Sequence, residues 1–163
     1  MSIVPDSMRR AFEAAGWTEG RRVHVSSGVP LHHPAHEVLA ELGGLTLKDP
    51  APNICSIEFQ HITDGGSDLI AWAAALNTQI VGIAEEDEGH ATLYLSGRGQ
   101  VIGCSNVHPA CFLVGRTIDE ALDAIGRGTR ARPMLLPHNS EVTLYGVIFR
   151  QGDDEVIGPG DLL

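Results

Sequence analysis

Cys104, His108 and Cys111, in the run CSNVHPAC, set two thiols and one imidazole on a single short segment. Thiolate sulfur and imidazole nitrogen are the ligands zinc prefers, and three of them in one loop can share an ion. The spacing is not that of the familiar zinc loops, and no fourth ligand stands nearby, so ordinary loop and core residues are the plainer reading. A Cys/His nucleophile pair is the other chemistry these residue types allow. Closeness along the chain does not make an imidazole face a thiol. No catalytic residue, metal or cofactor is therefore assigned, and a small hydrolase or metal-dependent enzyme using this loop is kept as the alternative function.

Two further clusters carry titratable groups. His32 and His36 are spaced to face one side of a helix start as a nickel or zinc pair, but His33 precedes Pro34 and is biased toward an extended backbone. The simpler reading is a polar helix start. Glu85, Glu86, Asp87 and Glu88 place four carboxylates in one turn. Two close carboxylates can serve as acid and base, yet a water-exposed loop offers nothing to separate their pKa values. The plainer reading is a solvated hairpin loop; a partner-binding surface, to which Asp153, Asp154 and Glu155 add their charge, is the alternative.

The elements that must position these groups are organised around residues 34–47, PAHEVLAELGGLTL. Ala35, Val38, Leu39 and Leu42 recur at helical spacing, Pro34 suits the first helical position, and Gly43 and Gly44 stop the helix and turn the chain into a strand. Upstream, the pattern predicts a helix capped by Asp6 or Ser7 and stopped by Gly16, with Trp17 packed over its end. A short strand follows over 21–25, with Arg21 and Arg22 on a solvated face. Downstream, 48–53 reads as a loop. Residues 54–59 read as a strand with Cys55, Ile57 and Phe59 on its buried face. The helix over 67–76, capped by Ser67 and stopped by Asn77, is apolar almost all round and is expected to be well buried.

Three strands then follow closely at 80–84, 91–95 and 100–104, joined by glycine-containing loops that predict an antiparallel meander, with a fourth piece at 112–115. Thr117 and Glu120 stand as a capping box ahead of the apolar face Ile118, Ala121, Leu122 and Ile125. Residues 130–139 read as a link, 142–149 as one last strand, and 153–163 as a loosely held acidic tail.

The chain has 163 residues and a formal charge of −10, which suits one domain with one core. The charge argues against sequence-independent binding to nucleic acid or to anionic membranes and favours a basic macromolecular partner. Cys55, Cys104 and Cys111 are an odd number without CxxC spacing, and the N-terminus lacks the pattern of a signal peptide. A reduced, cytoplasmic setting is the expectation.

Several of these runs together resemble a known family. AGWTEGR at 15–21, LGGL at 42–45, the strand IVGIA with its acidic turn, LYLSGRGQV at 93–101 and VGRTIDEALDAIGRG at 114–128 are similar to the third immunity-protein subgroup of the SUKH superfamily. The resemblance runs from about residue 15 to 128 and leaves 129–163 as an added C-terminal strand and acidic tail. It implies an α+β fold with a central mostly antiparallel sheet; with the elements read along the chain, the expectation is a single domain over 1–163 with about six strands flanked by about four helices. It also implies a bacterial immunity protein that binds and neutralises a cognate polymorphic toxin, with no catalytic residues to carry over; a cytoplasmic scaffold of the same fold without a toxin partner is the further alternative.

Overall fold

A computed structural model of the chain describes residues 2–163. Its sheet runs in chain order: β1 (Thr46–Ala51), β2 (Ile54–Ile62), β3 (Ile80–Glu86), β4 (Ala91–Ser96), β5 (Val101–Ser105), β6 (Cys111–Gly115) and β7 (Arg132–Met134), every neighbouring pair antiparallel. The helices are α1 (Arg9–Ala14), α2 (Pro34–Leu42), α3 (Ser67–Leu76) and α4 (Ile118–Gly126). A separate hairpin, β8 (Glu141–Leu144) and β9 (Val147–Arg150), completes the α+β fold.

Side-chain alternation divides the core between the two faces of the sheet. Phe12 of α1, the buried face of α2, and Ala121, Leu122 and Ile125 of α4 pack with Leu47, Ile57, Phe59, Ile83, Leu93 and Val101. On the opposite face, Trp72 and Leu76 of α3 pack with Ile102, Leu113 and Met134. Phe112, back on the α4 side, forms a third cluster with Val142 and Leu144 of the hairpin.

The end of α2 shows how closely the sequence is matched to this arrangement. The last turn of a helix leaves four carbonyls without intrahelical donors. Here Gly43 N donates to Leu39 O, Val23 N to Ala40 O, Arg21 Nη1 to Glu41 O and Leu45 N to Leu42 O, so all four are satisfied. Gly44, at φ +82°, supplies the left-handed step that sends the chain into β1. At the other end, the His33 ring accepts from Ala35 N and fills the cap position.

Several expectations are corrected. Residues 21–25 are not a strand: they have no regular structure and pass the C-terminus of α2, where Val23 N donates to Ala40 O, and Arg21 is not a solvated residue but the donor to Glu41 O and Gly43 O. The predicted loop over 48–53 is mostly strand. Pro50 fits in β1 because that strand is an edge of the sheet, with a register shift between Lys48 and Ala51 and Asp49 at φ 49°. Cys55 shares the parity of Ile57 and Phe59 but is exposed. Only one face of α3 is buried, and Ile70 remains 68% exposed. Ser67 does not cap α3; Gly66 holds that position without a side-chain bond.

The C-terminal third departs furthest from the sequence reading. Residues 130–139 contain β7, and 142–149 are two strands rather than one, turned at Tyr145 (φ 55°) and Gly146 (φ 73°). The tail is not loose. Ile157 bridges Met134, Leu162 is buried against the α3 cluster, and Gln100 Nε2 donates to Leu162 O at 2.8 Å.

Candidate functional site

Strand β3 continues two residues beyond Ala84, and this extension divides the acidic run. Glu85 and Glu86 are consecutive strand residues, so their side chains leave opposite faces of the sheet. Glu85 stands opposite Thr92 on the α3 side, where with Asp64 it adds to burial in raising the Tyr94 phenol above its ordinary pKa. Glu86 pairs with Ile57 on one neighbour and Ala91 on the other, on the side covered by α4 and the hairpin. Asp87 is committed to local structure: its Oδ1 accepts from Cys55 N at 2.7 Å and Ser56 N at 3.2 Å. Of the four, only Glu88 is exposed.

Glu86 therefore occupies a setting its neighbours do not share. It lies in a cleft of about 200 Å³ walled by Phe112 and Val114 of β6, Ile125 and Thr129 at the end of α4, and Tyr145 at the hairpin tip. Burial, and then the neighbouring Asp87 charge, pushes its carboxyl up from 4.5 to about 7. Among the described residues it has neither a hydrogen bond nor an ion pair. The expectation that nothing separates the pKa values of this run is thus corrected, because Glu86 is not in a solvated loop. Strand alternation continued past Ala84 is the sequence signal that would have found it. Tyr145 had no such signal, because it joins the cleft only through the hairpin's docking.

The second acidic group is held differently. Asp153 Oδ2 accepts from Arg150 N, while the backbone carbonyls of Asp154 and Glu155 accept from the Arg132 guanidinium. All three residues are exposed, and no hydrogen bond or ion pair joins them to residues 85–88.

In the CSNVHPAC segment, Cys104 and Cys111 face each other across β5 and β6 and form a disulfide. That corrects the expectation of unpaired thiols and removes both as thiolate ligands or nucleophiles; His108 is exposed beyond them. Register explains the pairing, since the two residues are cross-strand neighbours with Cα atoms 4.2 Å apart. The histidine trio is also separated. His33 has one ring nitrogen accepting from Ala35 N and the other against Gln79 O at 3.1 Å, so that Nε2–H donates, while His32 is exposed. No group of three or more metal-ligating side chains is assembled among the described residues, and none of their helices is long and apolar enough to cross a membrane.

An all-antiparallel meander with helices on both faces, and with its reactive-type side chains paired or dispersed, is the framework on which the comparisons fall. The chain belongs to the SUKH-3 immunity protein family, whose model matches residues 4–128. The match takes in α1 through α4 and stops before β7 and the hairpin. Neither the comparison with curated proteins nor that with solved structures finds a match.

Proposed function

We propose that this protein neutralises a cognate toxin domain by binding it, without catalysis of its own. The observation that carries this reading is the match of residues 4–128 to a family of immunity proteins. The charge of −10 supports a basic partner surface, and Glu88, Asp153, Asp154 and Glu155 are exposed carboxylates available to steer it. Glu85, partly buried on the α3 side, and Glu86, in its cleft, complete the acidic contact set; Asp87 contributes through its charge while it holds β2.

Co-expression with the toxin domain encoded by the adjoining gene tests the reading. Survival of the host together with recovery of a stoichiometric complex is the expected result. Recovery of no complex, or a complex that leaves toxicity intact, overturns it. Replacing Glu85 and Glu88 with glutamine should slow association several-fold and flatten its salt dependence while leaving dissociation nearly unchanged. Unchanged association kinetics would remove that turn from the interface.

A further inference from the structure

We propose that the Glu86 cleft is a socket for a single arginine side chain presented by the basic partner. The inference rests on the toxin-binding reading for its partner and on the cleft for its chemistry. At about 200 Å³ the cleft lies below the roughly 300–1,000 Å³ usual for small-molecule sites, so it suits one side chain rather than a cofactor. Its walls at Phe112, Val114 and Ile125 are apolar and match the methylene stem of a long cationic residue. Its one partnerless ionisable group is the Glu86 carboxylate, which accepts two parallel N–H bonds in the geometry a guanidinium presents and an ammonium does not.

The surrounding charges leave this position to an incoming cation. Asp87 stands beside Glu86 with one oxygen engaged by the β2 backbone, and adds to the negative potential. Ile57 and Ala91, its strand neighbours, carry no charge. Arg127 on α4 is paired with Asp123 at 2.9 Å. Arg130 lies over the Tyr145 ring, 5.1 Å from its centroid, and makes no ion pair with Glu86. Tyr145 is 41% exposed, so the hairpin tip offers an aromatic rim at the mouth.

A cation in the cleft favours the ionised carboxylate, so affinity must rise with pH through the Glu86 titration near 7. Between pH 6 and pH 8 the ionised fraction, and with it the affinity, increases about tenfold.

The test is an amide-resolved NMR titration of the full chain with N-acetyl-arginine amide, and with the uncharged N-acetyl-citrulline amide as control. Saturable shifts at Thr129, Ala131 and Tyr145, about tenfold tighter at pH 8 than at pH 6 and lost with citrulline, are expected. Glu86→Gln should weaken arginine binding at least tenfold while the rest of its spectrum stays native. Absence of cleft shifts at tens of millimolar arginine, equal binding of citrulline, or full binding by Glu86→Gln each overturn the socket. With a neutralised toxin domain in hand, Glu86→Gln should weaken that complex at least tenfold. A toxin complex indifferent to Glu86→Gln refutes the socket and leaves the immunity reading standing, whereas failure of every toxin domain to bind removes that reading while the arginine titration still tests the cleft.

Discussion

Replacing Glu86 with glutamine should make the protein more stable at pH 8 and leave it nearly unchanged at pH 4.5. In the unfolded chain this carboxyl titrates near 4.5, while in the fold it titrates near 7. Between those values the folded state holds the proton and the unfolded state has released it, so folding stability falls as pH rises across the window. Above pH 7 the full cost of keeping an unpartnered carboxylate in the cleft remains. At about 1.4 kcal/mol per pH unit the displacement corresponds to about 3 kcal/mol, and the solvent access at the cleft mouth lowers the expected difference to roughly 2 kcal/mol. Glutamine has nearly the same shape and no charge, so it removes the titration without opening a void. Urea unfolding of both proteins from pH 4 to pH 9 measures the difference directly. Every other group is common to the two proteins and cancels in the difference. Parallel stability curves would refute the reasoning, as would a glutamine variant that is less stable at pH 8.

Arg21→Ala should cost about 1.5–3 kcal/mol in urea unfolding with an unchanged slope, because it strips two guanidinium bonds, at 2.5 and 2.8 Å, from carbonyls at the end of α2. Arg21→Lys should recover only part of that, since one ammonium cannot reproduce the fork. Gly115→Val should cost at least about 2–3 kcal/mol by the same measurement: a Cβ there would sit 2.5 Å from the Ala121 backbone nitrogen and 2.8 Å from its Cα, and the first turn of α4 would have to move off β6. Leu162→Ala should cost about 2 kcal/mol, at the low end for a buried leucine because the chain end can partly collapse into the gap, and should speed amide exchange at Leu162 and its neighbours.

The helices and the meander were legible because their signals are local. Pro34 with Gly43 and Gly44, Thr117 with Glu120, and the short glycine loops between β3, β4 and β5 each fix structure within a few residues. Glu120 departs from the expected box only in reaching Arg116 N rather than the cap residue's own N–H. What remained hidden depends on partners far along the chain. Arg21 looks like any surface arginine until α2 ends beside it. The turn at Tyr145 and Gly146 lacks the Asn-Gly or Asp-Gly pair that usually marks a two-residue hairpin. The Cys104–Cys111 bond follows from β5–β6 register, which seven intervening steps of sequence do not specify. The acidic run was visible as charge, but the separate position of Glu86 needed the true end of β3.

A sheet whose strands pair in the order they are written lets each strand meet its neighbour across a single connection. β1 through β6 can therefore form successively as the chain leaves the ribosome, with β7, Ile157 and Leu162 closing over the α3 face once synthesis is finished. Each of β2 through β7 thus meets a neighbour already made, and the tail alone must return to elements written far earlier.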